Sequence, residues 1–309
     1  MRFAQGALVA RFTTSSFVLL WSSGAIFAEL GVRHASALAF LIARFALASL
    51  ALAAIGLARR RWLPPAGGRR ITALIGLLMG LYSIAYLLAL EHGITPGMLA
   101  TLLGAQPILT LALVERRWSV PRLAGLLLAL TGLALVVWHG LAGGCVTAGG
   151  AAIALAALLA ITAGALLQKR SGVAPADGLA MQTAIGLAMS LACLPLVPGG
   201  SLGAALRFDA SPALLIAVLW LGLVISVAGQ MLFYRLMRDG DAVNVTSLFY
   251  LVPVVTTLMD AIGFGHLPGR LEMLGMAAIL GGLALVFRHA PDRALRQMKA
   301  RGNTSESET

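Results

Sequence analysis

The amino-acid sequence predicts an all-α integral membrane protein, with ten transmembrane helices in two inverted five-helix repeats. Three observations predict it. Apolar residues fill 59% of the 309 positions and charged residues only 11%, whereas soluble domains carry about 25% charged residues on a water-facing surface. Charge-free runs of bilayer length recur along the chain. A glycine-bearing segment that begins at Gly125 returns at Gly275, 150 residues later.

A spanning helix needs about 20 apolar residues, because the hydrocarbon core is ~30 Å thick and each residue rises ~1.5 Å. Residues 71–90, 92–114 and 210–234 contain no Lys, Arg, Asp or Glu, and each fits one crossing. The 46 residues from Leu123 to Gln168 are also free of such charges, and twice too long for one crossing. They must fold back, and Trp138-His139-Gly140-Leu141-Ala142-Gly143-Gly144 supplies the break: glycine is a poor helix former, and an aromatic followed by His suits the interface. The same rule predicts helices near 14–31, 37–58, 71–90, 96–114 and 121–138, then near 148–168, 178–197, 212–234, 242–261 and 271–288. Pro121 and Pro212 suit first turns, where the missing N–H costs nothing. Pro107 and Pro253 fall inside helices, where each frees a carbonyl and kinks the chain, which makes both hinge candidates. Arg2 and Arg11 before an apolar stretch ending Ala25-Ile26-Phe27-Ala28 imitate a secretory signal. Cleavage there would leave nine helices, so an uncleaved first helix is expected.

The basic residues orient the chain. Of 23 Lys and Arg, nineteen fall in alternate connections starting with the N-terminal tail, three (Arg33, Arg207, Arg270) fall in the others, and Arg44 lies within a helix. This bias predicts cytoplasmic N- and C-termini. It also assigns the net charge of +11 to loops facing anionic lipid headgroups, which removes nucleic acid as a partner. Arginine outnumbers lysine 21 to 2 in a chain rich in Ala, Gly and Leu. That composition suits a GC-rich bacterial genome, and hence a multi-pass protein of the bacterial inner membrane.

The repeat is legible near the end of each half. Gly125-Leu-Leu-Leu-Ala-Leu-Thr-Gly132-Leu-Ala-Leu-Val-Val-Trp138 and Gly275-Met-Ala-Ala-Ile-Leu-Gly-Gly282-Leu-Ala-Leu-Val-Phe-Arg288 agree at seven of fourteen positions. Upstream, Gln106-Pro107 matches Val252-Pro253 at an offset of 146. Residues 1–140 then form the first repeat, 141–290 the second, and 291–309 a basic, then disordered, cytoplasmic tail. Five helices per repeat is an odd number, so the second repeat enters the membrane from the opposite face. Inverted repeats place a substrate site at the midplane between the halves and work by alternating access.

Trp21-Ser22-Ser23-Gly24, Arg44-Phe45, Pro107 followed by Glu115-Arg116, and the Gly125…Gly132 helix together resemble the drug/metabolite transporter superfamily, and within it the EamA-type ten-helix group. The resemblance spans residues 14–288. It implies export of small metabolites, with the aromatic and neutral amino acid exporters as the nearest subgroup. Gly263-Phe-Gly-His266 stands where that family often has a Glu, so paired acids at both positions are not expected to be functional.

The residues that could line a substrate cavity are Trp21, Ser22, Arg44, Tyr82, Tyr86, Gln106, Gln230, Tyr234, Asn244 and Tyr250. Arg44 at a helix interior costs about 2.5–3.5 kcal/mol on insertion scales and needs a partner or a water-filled cavity. It either binds a substrate carboxylate, or bonds backbone carbonyls or pairs with an acid while snorkelling from a tilted helix. Tyr82 and Tyr86, four apart, share one face of a charge-free crossing. They either line an aromatic-tolerant cavity or pack. The amides and hydroxyls offer a zwitterion neutral partners, or else make interhelical hydrogen bonds. Gly76 and Gly80 mark a close helix contact. Glu29 and Asp260 lie close to helix ends, and Glu91 and His92 in the loop after the third helix, which leaves proton coupling unassigned.

Other chemistry has no support. Cys145 and Cys193 form no disulfide framework, and the five histidines have no metal-ligand spacing. Gly263–Gly269 lacks the spacing of a nucleotide loop, and Asn244-Val245-Thr246 begins a membrane helix rather than a glycosylated surface loop. No catalytic residues, cofactor or metal are expected. The partners are a small-molecule substrate and the lipid bilayer, with the chain acting as a monomer. A channel-like or broad-specificity permease is the alternative.

Overall fold

The computed structural model describes residues 2–60, 63–91, 96–115, 119–138, 148–196, 203, 206–264 and 268–289. Most of the predicted turn at 138–144 and the whole 291–309 tail lie outside these residues. Within them the secondary structure is helical, and extended backbone pairs only at the isolated bridge between Ala35 and Phe208.

In chain order the helices are α1 (Arg2–His34), α2 (Ala37–Ala58), α3 (Arg69–Glu91), α4 (Pro96–Leu103), α5 (Gln106–Val114) and α6 (Val120–Val136), then α7 (Ala148–Arg170), α8 (Pro175–Ala192), α9 (Pro212–Asp239), α10 (Ala242–Ser247), α11 (Leu251–Phe264) and α12 (Arg270–Arg288). Among the described residues, seven stretches are long and apolar enough to cross a membrane: Phe12–His34, Ala37–Ala58, Ala66–Ala89, Ala148–Arg170, Pro212–Asp239, Ala242–Met259 and Arg270–Arg288. Met98–Val114 and Val120–Val136 are shorter apolar stretches. The 18-residue α8 carries Asp177 in its first turn.

Two predicted helices are interrupted. The expected 96–114 helix breaks after Leu103 and restarts at Gln106, and the expected 242–261 helix passes through a 3₁₀ turn at Leu248–Tyr250. Each break precedes a proline. The pyrrolidine ring excludes the carbonyl four residues back, which is Leu103 for Pro107 and Phe249 for Pro253. A third irregularity had no sequence signal: Trp220–Gly229 in α9 winds as a ten-residue π-helix.

The exterior is apolar and the polar groups turn inward, as expected in lipid. Leu50, Leu57, Leu215 and Leu274 are exposed, while Thr162, Gln168, Ser190 and Ser226 are buried. Glycines set the closest contacts. α6 crosses α12 with almost no side chain between them: a Cβ on Gly125 would lie 2.7 Å from the Gly282 carbonyl, and one on Gly132 would lie 2.5 Å from that of Gly275. The relation is reciprocal, at 2.4 Å from Gly282 to the Gly125 carbonyl and 2.6 Å from Gly275 to that of Gly132. Gly76 and Gly80 of α3 meet the α8 backbone at Gln182 and Gly186, with Cβ distances of 3.0 and 3.4 Å.

Three cross-links gather at the end of the bundle that holds the basic connections. Lys169 Nζ donates to the Met237 and Gly240 carbonyls at 2.6 Å each, which satisfies the end of α9. Arg59 reaches Ala176 O and Asp177, and Arg122 forms the cluster described below. At the other end, the α1–α2 turn joins the segment before α9 through Ser36 N to Arg207 O (2.9 Å) and Asp209 N to His34 O (2.8 Å).

The α6–α12 contact yields a sharp comparison. Gly132→Ala forces a Cβ onto the Gly275 backbone, whereas Gly281→Ala meets nothing closer than Leu128 Cδ2 at 3.9 Å. Thermal unfolding in detergent should show Gly132→Ala destabilised by about 1–3 kcal/mol. Gly281→Ala should be unchanged or slightly stabilised. Equal melting temperatures for the two variants would contradict the packing.

Candidate functional site

Helices from both halves enclose a cavity of about 540 Å³, within the 300–1,000 Å³ range of small-molecule sites. It reaches Val32, Phe40, Leu87 and Val137, each near a helix end on the arginine-poor side. On the basic side it stops at an aromatic floor. Phe17, Trp21, Phe233 and Phe249 hold one another with ring centroids 5.3–5.9 Å apart. Beneath them Val18, Met237, Ala242, Val245 and Leu248 close the core.

Of the predicted site residues, the cavity brings together Trp21, Arg44, Tyr82, Tyr86, Gln106, Gln230 and Tyr234, with Pro253 in its wall. Arg44 stands roughly 10 Å along α2, at ~1.5 Å per residue, and Nε donates to Ser226 Oγ at 2.8 Å. Ser226 belongs to the π-helical stretch, which delivers this partner to the guanidinium. The Arg44 guanidinium also lies 5.7 Å from the Phe45 ring centroid. Among the described lining residues, Arg44 is the one charged side chain. Tyr82 and Tyr86 sit edge to face at 6.0 Å. Gln106 is 2% exposed, and its Nε2 has no hydrogen-bond partner. Gln230 lies beside the Tyr234 hydroxyl.

Ser22, Asn244, Tyr250 and Pro107 fall outside the cavity wall. Ser22 Oγ donates to Val18 O at 2.7 Å, a turn back on its own helix. Tyr250 is fully buried, and its hydroxyl donates to Gly104 O at 2.6 Å, where the α4–α5 break leaves that carbonyl without a helical partner. Pro107 sits in the first turn of α5 and is buried. Asn244 belongs to a different constellation, around Arg122.

Arg122 is fully buried near the start of α6. Its guanidinium pairs with Glu115 at the end of α5, and donates to Asp241 Oδ1 at 2.7 Å and Asn244 Oδ1 at 2.8 Å. Asp241 Oδ1 also accepts from Asn244 N at 3.0 Å, capping α10. The cluster ties α5 and α6 to α10 on the basic side, beyond the aromatic floor. In the sequence Arg122 counts only as a loop charge. Its spacing to Gly125, Ala129 and Gly132, at i+3, i+7 and i+10, puts it on the glycine face of α6 and is the signal that it points inward. Ser226 and the floor aromatics Phe233 and Phe249 were likewise not singled out; their own residue types mark nothing. Among the described residues, no group of three His, Cys, Asp or Glu could hold a metal ion.

A solved crystal structure shares this arrangement, aligning with 91% of the chain and 98% of its own length at TM-score 0.70 and 19% identity. At that identity the likeness shows the fold. No curated protein matches the chain. Residues 148–288 match the EamA-like transporter family. That segment, α7 to α12, is similar to an EamA-like transporter domain of the drug/metabolite transporter superfamily. The EamA-like domain supplies Gln230, Tyr234, Ser226 and Pro253 to the cavity wall, and Asp241 and Asn244 to the Arg122 cluster.

Arg122→Met leaves Glu115 and Asp241 without their cation, and removing one member of a buried pair costs about 3–5 kcal/mol. Asp209→Asn breaks only the exposed contact with His34 at the other end, worth at most about 1 kcal/mol. Melting curves of the two purified variants should differ by many degrees. Equal curves would mean that the Arg122 cluster is not structural.

Proposed function

We propose that the protein is a secondary transporter that exports small amphipathic metabolites, foremost aromatic and neutral amino acids, across the bacterial inner membrane by alternating access. The observation that carries this reading is the cavity. It is walled by both halves of the chain and lined by aromatics with a few polar groups. Its size suits an amino acid, and the EamA-like domain is of a transporter type.

Ten crossings follow if Met98–Val114, Val120–Val136 and α8 also span, as their apolar character and their place between longer helices favour. Two inverted repeats, 1–140 and 141–290, are supported by the reciprocal glycine contacts: Gly125 and Gly275 are equivalent in sequence, as are Gly132 and Gly282, and each meets the other pair's member. The helix breaks agree, since Gly104 and Tyr250 stand at the 146-residue offset and touch. In this reading Pro107 and Pro253 are hinges, and the Arg122 cluster and aromatic floor hold the cytoplasmic side shut while the cavity faces outward. Both termini are then cytoplasmic and the working unit is a monomer. Ser22, Asn244 and Tyr250 support the cavity from behind.

A substrate panel tests the reading. Purified protein in proteoliposomes should show saturable counterflow of radiolabelled aromatic or neutral amino acids, a behaviour a channel lacks. Tyr82→Ala and Tyr86→Ala, normalised to folded protein, should weaken transport of large substrates more than small ones. Tyr→Phe at either position should change affinity by up to roughly tenfold, the worth of one hydrogen bond. A uniform loss across substrates of all sizes would reduce both tyrosines to packing. Topology has its own check: a reporter that folds only in the periplasm, fused after Arg288, should stay silent, and a bright fusion would end the ten-crossing reading.

A further inference from the structure

We infer that the cavity recognises its substrate by an anionic head bound at Arg44, so that a carboxylate is obligatory while the α-ammonium of an amino acid is dispensable. This rests on the transporter reading and names the group the site selects.

The argument is one of charge pairing. Arg44 lies within a membrane-spanning helix and lines the cavity, and among the described residues no carboxylate pairs with it. A cation within a membrane span is stripped of much of its hydration and needs a counter-charge or several hydrogen-bond acceptors. Among the described residues one acceptor meets it, Ser226 Oγ at 2.8 Å on Nε. That bond fixes the plane of the guanidinium and leaves both Nη groups for a ligand, the geometry in which Arg grips a carboxylate with two parallel hydrogen bonds. Gln106 adds a second, independent sign. Its Nε2 is a donor in the wall with no partner, and a buried donor calls for an acceptor. An arginine without an acid and an unpartnered amide donor stand against one unpartnered acceptor in the same wall, Gln182 Oε1, and the surplus of donors describes an anion site.

The same inventory decides what is not selected. An ammonium finds no carboxylate in the described lining; its partners are phenols, amide oxygens and aromatic faces. A cation without an acid of its own meets Arg44 as a like charge in a low-dielectric space and is repelled. The order of binding is therefore N-acylated amino acid and free amino acid together, with amino acid amides and other organic cations far behind.

The test uses the full chain in detergent or nanodiscs, with binding read by calorimetry for phenylalanine, N-acetylphenylalanine, 3-phenylpropionate and phenylalaninamide. The three carboxylates should bind, and phenylalaninamide should bind roughly tenfold to a hundredfold more weakly. Arg44→Gln should erase that difference. Ser226→Ala, which leaves the charge in place but releases its orientation, should weaken the carboxylates by several-fold without improving the amide. Should Arg44→Gln fail to fold, the wild-type panel and Ser226→Ala still decide. Equal binding of phenylalanine and its amide overturns the inference, as does binding of phenylalanine without N-acetylphenylalanine. A separate arm with acetate, butyrate and succinate distinguishes the two readings. Binding there without binding of phenylalanine upholds the anion site and overturns the amino acid reading; failure of every carboxylate overturns the anion site.

Discussion

Everything in this structure depends on one constraint: in hydrocarbon, each backbone N–H and C=O must find a partner within the protein. Regular helices meet the constraint by themselves, which is why the described chain is helical almost throughout. The informative places are those where the helices stop. The α4–α5 break exposes the Gly104 carbonyl, and the Tyr250 hydroxyl meets it. The end of α9 exposes the Met237 and Gly240 carbonyls, and Lys169 takes both. Ser36, Ser211 and Asp241 accept from the open N–H groups of α2, α9 and α10. At each of these places a side chain completes the irregular backbone.

Those placements explain how far the sequence could be read. Charge-free runs located the helices because burial in lipid acts on every residue of a crossing alike, and the prolines announced both breaks because their effect is local and steric. Gly76 and Gly80 identified a close contact without naming α8 as the partner. The cavity was legible in part. Arg44, Tyr82, Tyr86, Gln106, Gln230 and Tyr234 stand out as polar groups in apolar helices, and the fold gathers them. Tyr250 and Asn244 stand out for the same reason yet serve structural bonds, since hydropathy does not distinguish a side chain facing a cavity from one facing a broken helix. Arg122 escaped because arginines beside a helix start are ordinary interfacial residues, and only the glycine face of α6 shows that it turns inward. The π-helical turn of α9 has no compositional mark; within it Ile225 packs against Gly24 and Ser226 meets Arg44.

The two inward-facing arginines make opposite electrostatic arrangements. Arg122 has two carboxylates and an amide oxygen around it, so its charge is more than balanced by the protein. Arg44 has a hydroxyl and an aromatic neighbour. One is balanced in charge at rest, with only its Nε unpartnered, on the densely packed side. The other is incomplete, in the hollow. The aromatic floor separates them, and no described polar residue links the two.

The glycine contact between α6 and α12 has a mechanical consequence. Each glycine faces a carbonyl of the opposing helix, and leucines follow immediately, Leu126 after Gly125 and Leu283 after Gly282. Sliding either helix by one residue would drive an isobutyl group into backbone, so the pair has a single register and no slack. A joint without slack transmits torque instead of absorbing it. The two helices are held as one pair, and a load on either is passed to the other.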